Sequence, residues 1–312
     1  MRFALRALCC WLLAGSATAA GFEAREISLQ SGQYRLPGTL TSPSRAPAFA
    51  SVLIIPGSGP VDRDGNVKLA PAAPPVYRQW AERLSAAGLM VLRYDKRFLA
   101  HPKMDILSLD QDVQIADALS AVAYLRSLPG PAAQRIFIVG HSEGGTLAPL
   151  VAERGGAIAG VAVINSVVFA VDELVVAQLE ARPGFAKNDL DEVKRRFAQI
   201  ADGTLSERGI LLGAGSRYWT QWIGYSRGAP DTLSRLPVPV LLVQCLNDES
   251  LPGPALARNL ALLKSTADVN QRTELREFPG LDHFGLAAGA KQASPKLLRA
   301  LIEWMKRQEK AQ

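Results

Sequence analysis

A chain of 312 residues that is 48% hydrophobic has the length and the apolar content to bury a large core. Its 35 basic and 29 acidic residues leave a net charge of +6, but they are scattered, so there is no basic tract of the kind that tracks phosphates and no nucleic-acid function is implied. Three cysteines, two of them adjacent near the amino terminus, exclude a disulfide framework.

Residues 1–20 have the layout of a secretory signal peptide: Arg2 and Arg6, an apolar run at 7–14, and the small residues Ala17-Thr18-Ala19 as cleavage site. That apolar run is too short for a bilayer, which takes about twenty residues, and no later segment is long and apolar enough to cross one. Cleavage removes Cys9 and Cys10, leaves Cys245 as the only thiol, and takes Arg2 and Arg6 away, lowering the net charge from +6 to +4. The expected destination is the periplasm or the exterior. Cys245 falls in the apolar run 240–246, where packing explains it better than reactivity.

An opening hairpin is expected at 26–40, then strands at 51–55 and 89–94 with a helix over 77–87 between them. Ser108 and Gln111 have the spacing of a capping box for a long helix with Leu109, Val113, Ala116, Leu119 and Ala123 on its apolar side. Further strands follow at 135–139, 158–164, 240–245 and 274–278, and the last helix opens with Ser294 as N-cap and Pro295 at its first position. Strand and helix alternate as in an α/β fold: a mostly parallel sheet of about eight strands with helices on both faces. Over 167–235 the alternation stops. Helices are expected there near 172–179 and at 189–201, the latter with Leu190, Val193, Phe197 and Ile200 on one face and Lys194-Arg195-Arg196 on its solvated side. Pro230, Pro237 and Pro239 mark the return to the sheet. The organisation is a core of 21–166 and 236–312 with a helical lid, 167–235, inserted after the sixth strand.

Gly140-His141-Ser142-Glu143-Gly144 lies between the apolar run 135–139 and the helix-compatible 146–153. That is the strand, turn and helix context of a G-x-S-x-G nucleophile elbow, where only small flanking residues avoid a clash; the alternative is a glycine-rich turn whose serine caps the helix. A serine hydroxyl needs a base, and the base a third group to orient it. Of the three histidines, His141 adjoins Ser142 on the elbow and should point away, and His101 precedes the nucleophile. His283, in the turn 279–285 after the last strand, is the choice of base. The acid belongs between nucleophile and base at the end of a strand. Asp248 meets that condition, with Glu249 the nearest rival and Asp172 a remoter one, whereas Asp282 is too close to His283 to bond its Nδ1.

Two backbone amides are expected to bind the oxyanion, those of Glu143 and of Ser58 in the loop Pro56-Gly57-Ser58-Gly59-Pro60. No Gly-Lys-Ser/Thr follows that loop, which excludes a phosphate loop. Asp62, Asp64 and Asn66 resemble a calcium loop in spacing, but Gly65 comes one place early and position 73 is alanine, so neither metal nor cofactor is assigned.

The stretches 56–66, Leu92-Arg93-Tyr94-Asp95-Lys96-Arg97 and 140–145 together resemble the EstD-type bacterial esterases, within the serine aminopeptidase-like group of α/β-hydrolases. The resemblance covers most of the chain outside the lid. It implies an α/β-hydrolase fold and carboxylesterase activity on small acyl esters, with Ser142, Asp248 and His283 matching the family's triad. One stretch departs from the family: Arg97 is followed by Phe98-Leu99-Ala100-His101-Pro102 where the family continues with a glycine-rich segment, near the expected pocket mouth. Asp62, Arg63, Asp64, Asp95 and Arg97 are expected to form an ion-pair set shaping the oxyanion loop. In the lid, Tyr218, Trp219, Trp222 and Tyr225 cluster at helical spacing, either as packing or, for Trp219, Trp222 and Tyr225, as a substrate-binding ceiling over the acyl chain. The expected partner is a small-molecule ester. Amide cleavage, acyl transfer and a non-catalytic binding role are the alternatives on the same fold.

Overall fold

The structure, a computed structural model, describes residues 21–67 and 74–310. The signal-peptide segment 1–20 lies outside the described residues, as do Pro71, Ala72 and Ala73 of the proline-rich tract. Two long antiparallel strands come first, β1 (Phe22–Ser31) and β2 (Tyr34–Pro43). There follow β3 (Ala50–Ile55), α1 (Val76–Ala86), β4 (Leu89–Tyr94), the one-turn α2 (Arg97–Ala100), α3 (Gln111–Arg126), β5 (Ile136–His141), α4 (Glu143–Arg154) and β6 (Gly160–Ile164). The insertion contains α5 (Val171–Ala181), α6 (Lys187–Ala201), the two-residue strands β7 (Ile210–Leu211) and β8 (Ala214–Gly215), and α7 (Ser216–Arg227). The chain then returns through α8 (Ala229–Arg235), β9 (Val240–Cys245), α9 (Pro254–Val269), β10 (Thr273–Phe278) and α10 (Pro295–Lys310).

One sheet of eight strands, in the order β1-β2-β4-β3-β5-β6-β9-β10, organises these elements. β1, β2 and β4 pair antiparallel, and every pairing from β4 to β10 is parallel. Every residue of β3, β5, β6 and β9 is buried, as expected of parallel strands covered on both faces. Alternation sorts the side chains: Leu53, Ile55 and Ile138 face α3, α4, α8 and α9, while Val52, Ile54 and Val139 face α1 and α10. The sheet is thus sandwiched as the alternating pattern predicts, and all loops that follow parallel strands open on one rim.

Two features of this architecture differ from the sequence reading. Ser108 does not cap α3; it ends a 3-10 turn capped by Asp105, and Asp110 is the N-cap, accepting from the Val113 N–H at 2.8 Å. Nor does α3 bury the expected side: Ala116 and Ala123 are exposed, and Gln111, Gln114 and Asp117 are buried with Ile115, Ala118 and Val122. The polar members of that face are paired with buried charges from other elements, which an apolar-periodicity reading treats as solvent. The second difference concerns the insertion. Its own apolar cluster joins α5, α6 and α7, but Leu233 and Leu236, at and just after α8, belong to the cluster under the sheet. The part standing off the core therefore ends near Arg227 rather than at 235.

Candidate active site

Ser142 joins β5 to α4 with φ 54° and ψ −122°, a left-handed strained conformation for a residue that is not glycine. The neighbouring glycines are steric necessities. A Cβ on Gly140 would stand 2.1 Å from the Gly144 carbonyl oxygen, and one on Gly144 would stand 2.2 Å from that of Ile55. On Gly57 a Cβ would lie 3.1 Å from that of Ser142, so the loop after β3 passes directly over the elbow.

His283 Nδ1 lies 3.0 Å from both Asp248 oxygens. Asp248 follows β9 and its carboxylate is fully buried, while the imidazole of His283 is 13% exposed. Burial pushes the Asp248 carboxyl up, but the hydrogen bond and charge of the imidazole, with two bonds from Ser250, outweigh it and hold the group below the usual carboxylate range. Ser250 is the residue that sequence reasoning missed here. Its N–H and Oγ donate to Asp248 Oδ1 at 2.9 and 2.6 Å, and its Oγ is 2.9 Å from His283 Nδ1. The rivals Glu249 and Asp172 make no such contact with the imidazole, and Asp282 closes its own turn by accepting from the Phe284 and Leu286 amides.

Beneath the elbow, His141 is fully enclosed, with its Nε2 2.8 Å from the His283 carbonyl oxygen and its Nδ1 2.8 Å from Tyr77 Oη. Burial, then the neighbouring His283, pushes its pKa down to about 3, so the ring is neutral and donor roles follow. A carbonyl can only accept, which puts the proton on Nε2 and makes Nδ1 the acceptor of the Tyr77 hydroxyl. Tyr77 in turn accepts from the Gly57 N–H at 2.9 Å. Asn165 Nδ2 also donates to the His283 carbonyl, at 2.7 Å. The loop after β3 and the loop carrying His283 are thereby tied together under Ser142.

With its Gly57 N–H committed to Tyr77, the loop after β3 offers the Ser58 amide as its next donor. Glu143 supplies the first amide of α4, which has no partner inside the helix. Both residues, with Ser142 and His283, line a cavity of about 590 Å³. The insertion roofs it: Val171, Leu174, Trp219 and Trp222 contribute apolar surface, the two indoles stacked at 5.6 Å. Tyr225 is not in that wall. It lies two helical turns, about 10 Å, beyond Tyr218, and its hydroxyl donates to Asp112 at 2.8 Å. Tyr218, at the near end of α7, lines the cavity instead.

Tyr218 reaches a buried polar cluster that no motif announced. The Glu143 carboxylate, with no exposed surface, accepts from Lys96 Nζ at 2.8 Å, Gln111 Nε2 at 2.9 Å, Gln114 Nε2 at 3.2 Å and the Tyr218 hydroxyl. Burial raises its pKa, but the Lys96 charge and these bonds bring it below the ordinary value, so it stays ionised. The ion-pair set expected around the oxyanion loop is also redistributed. Arg63 pairs with Glu26 and Asp95, and Asp64 with Arg93 and Arg78. Arg97 pairs elsewhere, with Asp117, and Asp62 accepts from the amides of Asp64 and Asn66 to close its own turn. His101 does not reach the cavity; it bonds the Arg35 carbonyl oxygen, and Phe98 from the same segment lines the wall.

Residues 52–293 match the model of the alpha/beta hydrolase family, and the chain belongs to that family. It is 30% identical over 225 residues to the esterase EstD of Thermotoga maritima, a match covering 71% of this chain and 51% of that protein, so the chain spans about half the length of this relative. Among solved structures, an esterase of Pyrococcus furiosus superposes with a TM-score of 0.61 at 15% identity, covering 98% of this chain and 97% of that one. A proline iminopeptidase of Mycobacterium smegmatis superposes with a TM-score of 0.60 at 13% identity, covering 92% and 99%. Likeness at these identities speaks for the architecture alone.

Proposed function

We propose that this protein hydrolyses carboxylic esters of small to medium acyl chains through an acyl-enzyme on Ser142. The observation that carries the reading is an imidazole held by a buried, ionised carboxylate in the wall of the cavity that also exposes the elbow serine. Asp248 takes the Nδ1 proton of His283 as a hydrogen bond, which leaves Nε2 bare and able to accept the Ser142 proton. Among the described residues Ser142 Oγ has no hydrogen-bond partner; bonds of this kind commonly tighten only in the substrate complex. The hydroxyl then attacks the ester carbonyl, and the amides of Ser58 and Glu143 bind the oxyanion. The imidazolium returns its proton to the departing alcohol, and water, activated by the same imidazole, releases the acid. The likeness to a relative described as an esterase supports ester over amide bonds.

Ser142→Ala is expected to lower turnover of nitrophenyl acetate by at least about a thousandfold and to abolish labelling by a fluorophosphonate, which reacts only with an activated serine. Full turnover in that variant would end the proposal. Amide substrates and added acceptor alcohols, run beside the esters, distinguish hydrolysis of esters from amide cleavage and acyl transfer. We also propose export, on the layout of residues 1–20; a protein purified from its native source that still began at Met1 would count against it.

A further inference from the structure

Lys96 and Gln114 both line the cavity, and the cluster around Glu143 leaves each with bonding capacity to spare. Both are more than nine-tenths buried, at 6% and 7% exposure. Among the described residues Lys96 Nζ donates only to Glu143 Oε2, so two of the three ammonium protons have no protein acceptor. Gln114 Nε2 donates to Gln111 Oε1 and Glu143 Oε1, both at 3.2 Å, and its carbonyl oxygen accepts nothing from the protein. The Gln114 carbonyl oxygen is not sealed inside the protein, so it is open to a molecule in the cavity.

A donor and an acceptor lining one cavity around the same carboxylate are matched by one group that accepts and donates at once, which is a hydroxyl. A carboxylate matches less well, because Glu143 already neutralises Lys96 and would repel a second anion.

The sheet order places this pair. Lys96 follows β4, the Ser58 loop follows β3, Ser142 follows β5 and His283 follows β10, so along the rim the oxyanion loop separates Lys96 from nucleophile and base. The alcohol must depart beside the imidazole that protonates it. What extends past the oxyanion loop is then the acyl chain.

Building on the ester-hydrolase reading, we propose that Lys96 and Gln114 form a subsite for a hydroxyl on the acyl chain, and that hydroxyacyl esters are the substrate class this cavity selects. Lys96 Nζ donates to the hydroxyl oxygen and Gln114 Oε1 accepts its proton. The test compares nitrophenyl butanoate and hexanoate with counterparts carrying one hydroxyl, at carbon 3 or at the chain end. At least one hydroxy ester is expected to exceed its parent about tenfold in kcat/KM, the worth of one hydrogen bond to a charged group. In Gln114→Leu that ratio falls to one or below, whatever happens to the parent's own rate. The double variant Lys96→Met/Glu143→Gln, which removes both charges together, gives the same collapse and carries the comparison if Gln114→Leu does not fold.

The preference is also read without turnover. Alkyl and hydroxyalkyl boronic acids of equal length add the serine hydroxyl at boron, and calorimetry compares their affinities. Tighter binding of the hydroxyalkyl compound with no ester turnover would sink the ester reading and keep the subsite. Turnover of plain esters with no hydroxyl preference in either assay, or a preference that survives both variants, would overturn the subsite.

Discussion

The Ser250 side chain touches both Asp248 and His283: its hydroxyl donates to Asp248 at 2.6 Å and stands 2.9 Å from His283 Nδ1. Losing it removes a bond that keeps the carboxylate ionised and oriented. Ser250→Ala is expected to lower kcat about tenfold with little change in KM, and Ser250→Thr, which keeps the hydroxyl, to recover most of it; equal loss in both variants would assign the effect to packing. His141 makes a prediction of a different kind. Folded, it takes its proton only near pH 3, against an ordinary 6.5, so below about pH 6.5 the unfolded chain binds a proton that the folded one does not. Stability therefore falls as pH drops, by about 2 kcal/mol between pH 7 and 5 from this group. Over that range Glu143 and Asp248, both held below their ordinary values of 4.5 and 3.8, stay largely ionised folded or unfolded and add little to the change. Urea midpoints at pH 7 and 5 should thus diverge less in His141→Gln than in the parent. That Asp248 meets His283, and that Ser142 opens on the same cavity, was legible because chain order and strand ends constrain where those residues fall. Ser250 and Tyr77 were not, since a serine in a turn and a tyrosine on an apolar helix face look the same whether or not they hold a functional group.

At the scale of elements, α7 does two jobs at once. Its Trp219 and Trp222 roof the cavity, while Tyr218 reaches down to Glu143 and Gln221 Oε1 accepts from the amides of Gln111 and Asp112 at the start of α3. The Trp222 indole N–H has no partner, so Trp222→Ala breaks no hydrogen bond and chiefly enlarges the roof. The kcat/KM profile over C2 to C10 nitrophenyl esters should move towards longer chains; an unmoved profile would place the indole outside the acyl path. The cluster beneath also sets a stability prediction. Lys96→Met alone strands a fully buried carboxylate and is expected to cost about 3–5 kcal/mol, much of it recovered when Glu143→Gln is added, as read from denaturant midpoints. Periodicity gave the existence of α3 but turned it the wrong way, because Gln111, Gln114 and Asp117 face inward towards charges from α2 and α4. Tertiary partners of that kind leave no trace in a local pattern. The aromatic stripe of α7 was legible as a stripe; which of its rings meets the cavity depends on position along the helix, and that excluded Tyr225.

Across the whole molecule, parallel strands buried on both faces made the core easy to locate from apolar runs, and the order of loops along one rim followed from the fold. The edges are different: β1 and β10 carry Glu23, Arg25, Glu274 and Arg276, charges that discourage pairing with another sheet. Cys245 sits in a central strand with no exposed surface, and burial pushes its thiol up to about 12. A thiol reagent should therefore modify Cys245, followed by peptide mapping, only at the rate of global unfolding, and fast modification under native conditions would contradict the packing of β9.

The chain Gly57, Tyr77, His141, His283 has a consequence for how this scaffold can vary. The loop that would steady the developing negative charge and the loop that would carry the proton share one rigid strut beneath the floor. A change in that strut, such as Tyr77→Phe, shifts both together, so charge stabilisation and proton delivery are inherited as a single trait, and new specificities are free to arise from the roof and walls that the strut does not touch.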